Sequence, residues 1–389
     1  MWVQPVRYMK KILIFSTLFC ACFFTQLSAA KVKSIEQMKQ EKKVEPKKKD
    51  YRIINSNRLF VEKQGVDEFI THLKGDVHFF YGDTEFYCDE ARIFEKNQRV
   101  ELSGNVKIIE DSTTLQTENL TYSKNEGILN LIKNVFIRQE QYDGTIKTFA
   151  SQEAQYFRQD KKIIARNNVR LYDERKDVVA FSDYLEYELE KAYGYMIKSP
   201  EVLSFSNDSL RITGEKIEYF DDYKKVVVNY NVKTYTTNHR TESDFLIYFR
   251  DESKIILTGN PKFYSQQADA TAKKFYIYLK NGDVDSVVFE DSVKSFFSND
   301  KDGEKVNVLT ADLMNFNFVD GKLDMFSANE NVDIVLRNSD EKEFSLNNTT
   351  GDKMIVFLDD NTKVETMYMK NRVKGKYYFS KRKSGEESD

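Results

Sequence analysis

Proline, glycine, cysteine and histidine are scarce in this chain of 389 residues, and each shortage excludes a class of protein. Four prolines and 15 glycines are too few for a collagen-like or proline-rich filament. The three histidines, His72, His78 and His239, lack cysteine or carboxylate neighbours at metal-ligand spacing, so no metal site is expected. Nucleophile-elbow, phosphate-loop and zinc-protease motifs are also missing, so neither an enzyme nor a bound cofactor is expected.

The N-terminus has the pattern of a secretory signal peptide. Three basic residues within positions 7–11 precede an apolar run from Ile12 to Phe24, and small residues follow up to Ala30. This order predicts export and removal of residues 1–30 by cleavage. A bilayer span needs about 20 apolar residues, so the run is short for a retained anchor, which is the alternative together with lipidation at Cys22.

The cysteine content and the net charge limit the properties of the expected mature chain. Cys20 and Cys22 would leave with the signal peptide, so Cys88 has no disulfide partner and is interpreted as a strand residue. Loss of the three basic residues changes the formal net charge from −3 to −6, which argues against binding of nucleic acid. Residues 31–50, rich in Lys, Glu and Gln, are predicted to be a charged linker, and residues 380–389 a disordered tail.

Self-similarity runs through residues 51–379. The clearest two repeats open at Gly75-Asp76-Val77 and Gly104-Asn105-Val106, 29 residues apart, and their apolar positions match without a gap. Later openings follow at intervals of 29 to 41 residues: Asn134-Val135, Asn168-Val169, Glu201-Val202, Asn231-Val232, Asn260-Pro261, Ser292-Val293, Asn331-Val332 and Arg372-Val373. A second signature, an acidic residue before alternating apolar residues, recurs in mid-repeat, as at Glu118-Asn119-Leu120-Thr121-Tyr122.

Within each repeat, apolar and polar residues alternate, as Val106 and Ile108 do around Lys107. A period of two predicts half-buried strands. A repeat with some three short strands cannot bury its apolar face alone, but a stack of repeats can. The sequence therefore predicts an all-β protein: an elongated repeat β-jellyroll or solenoid of two facing antiparallel sheets. It has about ten units of about 30 residues and is open to division into two stacked segments near residue 259.

The opening Gly104-Asn105-Val106-Lys107-Ile108 and the later Leu120-Thr121-Tyr122 resemble the OstA-like (LptA) family of periplasmic lipopolysaccharide-transport bridge proteins. The segment from Ile54 to Leu59 also looks like the first strand of that family. The resemblance covers the range from Tyr51 to Phe379 and implies a β-jellyroll open along one side. It further implies edge-strand pairing with like-folded transport proteins of the inner and outer membranes, allows head-to-tail self-association, and implies a periplasmic location.

The resemblance implies a lipid-transport bridge, with lipopolysaccharide or a related envelope glycolipid as cargo. Its acyl chains would need an apolar path, because each CH₂ exposed to water costs about 0.8 kcal/mol. The alternating apolar residues that are candidates for lining that groove are Val77, Phe79, Phe86, Ile93, Val106, Ile108, Leu115, Leu120, Tyr122, Leu131, Val135, Ile137, Tyr156 and Ile163. A plain core has the same pattern, so a structural or adhesive exported β-solenoid without lipid cargo is the alternative.

Overall fold

The structure is a computed structural model that describes residues 51–65, 68–94, 96–205, 210–220, 222–266, 268–280, 283–298, 304–319, 322–339, 343–359 and 364–381. These residues form 26 strands and one 3-10 turn at Glu174–Lys176, and none of them is in an α-helix. The expected all-β class is confirmed. The predicted signal peptide and linker lie outside the described residues. Of the predicted tail, residues 380 and 381 belong to the last strand and the rest lies outside as well.

The strands, in chain order, are β1 (Tyr51–Asn55), β2 (Arg58–Lys63), β3 (Phe69–Tyr81), β4 (Thr84–Phe94), β5 (Arg99–Glu110), β6 (Thr113–Ser123), β7 (Ile128–Glu140), β8 (Ile146–Phe157), β9 (Lys162–Asp173), β10 (Val178–Glu188), β11 (Tyr193–Ile197), β12 (Glu201–Ser204), β13 (Leu210–Thr213), β14 (Lys216–Phe220), β15 (Lys225–Tyr235), β16 (His239–Phe249), β17 (Lys254–Thr258), β18 (Lys262–Ser265), β19 (Ala268–Thr271), β20 (Lys274–Lys280), β21 (Asp283–Phe297), β22 (Asn307–Val319), β23 (Lys322–Ser339), β24 (Glu343–Leu358), β25 (Val364–Lys370) and β26 (Lys374–Lys381).

The chain forms two compact units. Unit 1 holds the described residues up to Arg175 together with Phe181–Met196, and unit 2 holds Lys176–Ala180 together with the described residues from Ile197 onward. In unit 1, strands β3 to β9 pair antiparallel in chain order, and both β1 and β2 pair with β3. In unit 2, strands β20 to β24 pair in the same way, and both β25 and β26 pair with β24. A segment boundary near residue 259 stays a prediction.

Sharp bends divide the long strands. In β5 the bend falls at two consecutive residues with positive φ, Gly104 at 72° and Asn105 at 47°, and the register with β6 shifts there. Positive φ is the left-handed region, which glycine and asparagine adopt most readily. Because neighbouring strands shift register at the same level, each bend continues across the sheet as a corner.

Ten such left-handed pairs occur among the described residues, and they mark the repeats. They are residues 75–76, 104–105, 133–134, 167–168, 198–199, 230–231, 259–260, 291–292, 330–331 and 371–372. Nine coincide with predicted repeat openings. The prediction at Glu201-Val202 was wrong, because the corner lies at Lys198-Ser199 and Pro200 takes the place of the usual valine. The expectation of three short strands per repeat was also wrong, since each repeat of unit 1 consists of two long bent strands, such as β5 and β6.

The corners split the sheet of unit 1 into two halves. The upper half-sheet consists of residues 77–81, 84–88, 106–110, 113–117, 135–140, 146–151 and 169–173. The lower half-sheet consists of residues 69–74, 90–94, 99–103, 119–123, 128–132, 153–157 and 162–166.

The two half-sheets face each other. Ile108 in the upper half and Leu131 in the lower half are each 0% exposed, which neither face of a single uncovered sheet allows. The corners close one side of this double layer. The hairpin turns lie at the other ends of the strands and border the opposite side, called the mouth here. The predicted facing antiparallel sheets are therefore present, joined by strands that pass through both.

Side chains beside the corners hold the bends. Asn105 Nδ2 donates a hydrogen bond of 2.9 Å to Asp89 Oδ2, and Asn134 Nδ2 donates one of 2.8 Å to Glu118 Oε1. Unit 2 repeats this contact at a later corner. The acidic residue of the mid-repeat signature is thus the acceptor for the left-handed asparagine of the next corner.

Substitution of two glycines distinguishes the effect of backbone strain from that of steric crowding at a corner. Both have positive φ, but a Cβ on Gly104 would collide with the Asp89 carboxylate, whereas a Cβ on Gly144 would meet nothing within 4 Å. Gly144→Ala should lower the free energy of unfolding by about 1–2 kcal/mol through the left-handed backbone alone. Gly104→Ala should lower it by about 1–3 kcal/mol more, because the collision adds to that strain. Urea unfolding measures both, and equal losses would contradict this account of the corner.

Candidate functional site

The interior of unit 1 contains all fourteen residues predicted to line a groove. Ile93 and Tyr122 are half-buried. The other twelve are at most 4% exposed: Val77, Phe79, Phe86, Val106, Ile108, Leu115, Leu120, Leu131, Val135, Ile137, Tyr156 and Ile163. Their position on the inner faces is established, and contact with lipid stays a prediction for each of them.

Strand register arranges these side chains in rows across the strands. The middle row of the upper half-sheet is Phe79, Phe86, Ile108, Leu115, Ile137 and Phe149. The row nearest the mouth in the lower half-sheet is Ile93, Val100, Tyr122, Leu129, Tyr156 and Ile163. The rings of Phe79 and Phe86 stack with centroids 4.8 Å apart. The interior therefore offers uninterrupted apolar rows that run perpendicular to the strands.

Most of a deeper row of the lower half-sheet was missing from the predicted set. Its members, next to the corners, are at most 1% exposed: Leu73, Ala91, Leu102, Leu120, Leu131, Ala154 and Ala165. Only Leu120 and Leu131 were among the predicted residues. The repeat alignment contained a signal for Ala91, Leu102 and Ala154, which occupy matched apolar positions. Alanine next to leucine leaves room where two bent strands approach each other closely.

Polar side chains border the interior where the upper half-sheet reaches the mouth. Thr84, Glu110, Thr113 and Lys147 are buried, with exposures of 2–7%. Thr84 Oγ1 donates a hydrogen bond of 3.3 Å to Glu110 Oε1. Each lies two residues from an inward apolar residue of its own strand, so its side chain points to the same inner face. The interior is thus apolar in the middle and polar along one border.

Lys147 places a cation on this border. Its Nζ lies 3.8 Å from Asp173 Oδ2, and its side chain is 9% exposed. Burial lowers the pKa of Lys147, because the protonated amine loses hydration, and the Asp173 carboxylate opposes that shift. Sequence alternation alone could have indicated this inward lysine, since it is two residues from the inward Phe149.

Tyr122 lies on the opposite side of the mouth, in the lower half-sheet. Burial raises the pKa of its phenol, whereas a hydrogen bond with Arg158 and the charge of that residue lower it. Tyr81, at the mouth end of the upper half-sheet, is close enough to add to the rise. Phenol and guanidinium groups therefore lie near one another at this part of the mouth.

Cys88 occupies a corner position. It lies opposite Val77, as Thr117 lies opposite Val106 and Ser151 opposite Val135. The hydroxyls at these positions donate to the carbonyl two residues ahead, at 3.3 Å for Thr117 and 3.0 Å for Ser151. Burial raises the pKa of the Cys88 thiol to about 12. It is therefore the thiol counterpart of the hydroxyls of Thr117 and Ser151, which support their own corners.

The terminal strands expose the ends of the interior rows. Ile53 pairs with the inward Phe79, and Leu59 pairs with the inward Leu73, yet they are 41% and 55% exposed. At the far end of unit 2, the side chain of Met367 lies opposite the inward Val356 and is 45% exposed. Inner faces that are covered elsewhere are thus open to solvent at β1–β2 and at β25–β26.

Other chemistry is limited within the part of the chain that the structure describes. His78 Nε2 lies 2.8 Å from Glu85 Oε1, and His72 stacks on Phe60 at 4.5 Å. No group of three or more His, Cys, Asp or Glu side chains there is arranged to hold a metal ion. No helix among these residues is long and apolar enough to cross a membrane. A depression of about 560 Å³ near Lys162 and Glu186 is lined by charged and polar side chains, which suit water rather than an acyl chain.

Comparison with known families decides the affiliation. The profile of the family described as LptA/(LptD N-terminal domain) LPS transport protein matches residues 85–283, just over half of the chain. The chain belongs to this family. The expected resemblance is confirmed, and the matched range of this LptA/LptD-type protein runs from β4 into β21 and so includes residues of both units.

Among solved structures, the protein is similar to LptH from Pseudomonas aeruginosa, titled the LptA-homologous periplasmic component of the conserved lipopolysaccharide transport device. The identity is 17%, the match covers 27% of this chain and 76% of that one, and the TM-score is 0.24. No curated protein matches the sequence.

Cys88 gives a test of the corner in this LptA/LptD-type protein. Cys88→Ser should change the free energy of unfolding by less than about 1 kcal/mol, because a serine hydroxyl can donate as Ser151 does. Cys88→Leu should lose about 1–3 kcal/mol through overpacking. Urea unfolding compares the two variants, with reaction of the native thiol at pH 8 as a second measurement. A thiol that reacts rapidly before unfolding would contradict the burial described here.

Proposed function

We propose that the protein is a periplasmic bridge component that carries the acyl chains of lipopolysaccharide, or of a related envelope glycolipid, through its interior. Family membership supports a role in lipopolysaccharide transport. The observation that carries the finer proposal is the exposure of the inward apolar rows at both terminal edges, shown by Leu59 at one end and Met367 at the other. A plain core would be expected to end behind a polar cap.

Apolar inner faces that are exposed at the terminal strands suit transfer between proteins. Moving ten methylene groups through water would cost about 8 kcal/mol, so acyl chains need continuous apolar contact. A partner whose inner face continues that of β1–β2 or β25–β26 would keep that contact across a junction. Like-folded proteins of the inner and outer membranes, joined by edge-strand pairing, meet this requirement.

The polar border gives the cargo an orientation. Acyl chains would lie among the apolar rows, and the glycolipid head group would lie toward the mouth, next to Thr84, Glu110, Thr113 and Lys147. Because the rows are closely packed, entry of an acyl chain requires the half-sheets to move apart at the mouth. The corners are the hinge, since the strands there are continuous and held by hydrogen bonds such as Asn105 to Asp89.

The tight packing also favours a second candidate function. Ile108, Leu131 and Ile137 are 0% exposed, as in the core of a closed solenoid. A structural or adhesive exported β-solenoid without lipid cargo would have this interior and need no opening. Bound lipid separates the two functions.

Photo-cross-linking in the producing cells tests lipid carriage. The photoreactive residue p-benzoylphenylalanine replaces Tyr122, whose side chain points inward at the mouth, or Thr121, whose side chain is on the outer face of the same strand. We expect a lipid adduct from position 122 and none from position 121, because only the first meets the cargo. Mass spectrometry of the adduct identifies the lipid.

Two further positions serve as controls for a missing lipid adduct at Tyr122 that is caused by local crowding. Leu129 and Tyr156 share its row, so at least one of them should give the adduct if lipid enters the interior. Exported, folded variants that give no adduct at all three positions would contradict lipid carriage and favour the closed solenoid.

A further inference from the structure

The terminal edges differ in charge from the part of the chain that lies between them. Residues 51–63, which include β1 and β2, carry a formal charge of +2, and residues 364–381, which include β25 and β26, carry +4. Residues 64–363 between them hold 38 basic and 53 acidic residues, a formal charge of −15. Both edges are thus basic although the chain between them is acidic.

The register between paired strands within the sheet predicts which residues would lie opposite each other if a second copy of the chain added to a terminal edge. Glu85 of β4 pairs on one side with Phe80 and on the other with Ile109. Both partners come four residues after the second left-handed residue of a corner, Asp76 or Asn105. Residues at the same distance along the chain from their corner therefore lie on one line across the sheet.

The same rule applies on the other side of the corner. Glu90 pairs with Lys74 and with Ser103, each two residues before the second left-handed residue of its corner. At the first edge, Arg52 pairs with Phe80 and Arg58 pairs with Lys74. Arg52 and Arg58 therefore occupy the Glu85 and Glu90 positions.

The last corner supplies the facing residues of a head-to-tail dimer. Its second left-handed residue is Arg372, so the equivalent positions are Lys376, four residues later, and Lys370, two residues earlier. Two copies joined with aligned corners would place Lys376 opposite Arg52 and Lys370 opposite Arg58. Like charges directly opposite each other on neighbouring strands are destabilising.

Both pairs lie on the outer face, away from the apolar rows. Arg52 is on the face opposite Ile53, and its guanidinium lies 4.7 Å from the centre of the Phe80 ring. Lys370 is on the face opposite Met369, and its amine lies 5.8 Å from the centre of the Tyr368 ring. The inner faces of the two edges are thus compatible with one another, whereas the outer faces repel.

We propose that the β25–β26 edge receives an acidic partner strand, with Asp or Glu facing Lys370 and Lys376, and that two copies of this chain do not join head to tail. This inference rests on the proposed edge-strand docking, and it assigns the partner its charge. Apolar inner faces give affinity to any like-folded strand, and the outer charges select the acidic one.

A charge swap in the full mature chain tests this proposal. The four proteins are the unchanged chain, R52E/R58E, K370E/K376E and the quadruple variant, and K96E/K124E on exposed turns of unit 1 is the control. In R52E/R58E the β1–β2 edge is acidic, so this variant supplies the acidic partner strand for the β25–β26 edge of another copy. R52E/R58E and K370E/K376E should each self-associate about tenfold more tightly than the unchanged chain, because two repulsive pairs become attractive. The quadruple variant should return to the weak association of the unchanged chain. Sedimentation equilibrium at low salt measures all five.

A disulfide checks the register. In the R58E background, R52C and K376C in different copies should form an intermolecular disulfide, because directly opposed residues of paired strands have the spacing that a disulfide needs. Strong head-to-tail association of the unchanged chain would overturn the proposal. So would two-site variants that associate no more tightly than K96E/K124E. Either result leaves lipid cross-linking at Tyr122 unaffected, so failure here is distinguishable from failure of the proposed function.

Discussion

The structure depends on one backbone constraint, the pair of consecutive left-handed residues at each corner. An extended strand would carry its apolar side chains along one exposed face, and burial would require a separate second sheet. At Gly104-Asn105 the chain turns sharply enough for a single strand to contribute to both half-sheets. Each repeat therefore covers itself and adds only the surface that the next repeat buries. The Asn105 to Asp89 hydrogen bond belongs to this device, because it joins a corner to the preceding strand.

The bend also sets the chemistry of the interior. Small or hydroxyl-bearing side chains are needed where two strands turn together, as at Thr117 and Ser151, whose hydroxyls bind carbonyl groups beside the corner. Large apolar side chains fill the middle, and Thr84, Glu110 and Lys147 stand where the upper half-sheet meets solvent. An amphipathic guest would match this gradient from corner to mouth. The gradient belongs to the upper half-sheet, because the row nearest the mouth in the lower half-sheet is apolar.

Much of the fold could be predicted from the sequence, because each repeat of the sequence has the same strand structure. The 29-residue spacing between Gly104 and Gly75 and the alternation around Ile108 were sufficient for an all-β repeat and for twelve buried interior residues. The bends were not predicted, because alternation on both sides of a corner looks like two short strands. The corner at Lys198-Ser199 was missed, because it has neither the glycine or asparagine nor the following valine that mark most other openings. Glu110 and Lys147 were not among the predicted interior residues, although each lies two positions from an inward apolar residue of its own strand.

The terminal edges separate two requirements that a single surface could not meet. The proposed transfer of an acyl chain would need apolar inner faces at both terminal edges, and Leu59 and Met367 provide them. Such ends would also attract other copies, because an open apolar edge with unpaired backbone groups favours association. Charge on the outer face opposes that tendency without altering the inner rows, since neighbouring residues of a strand point to opposite faces. Repulsion between copies at Arg52 and Lys376 is therefore compatible with the proposed lipid transfer and leaves each edge free for a different partner.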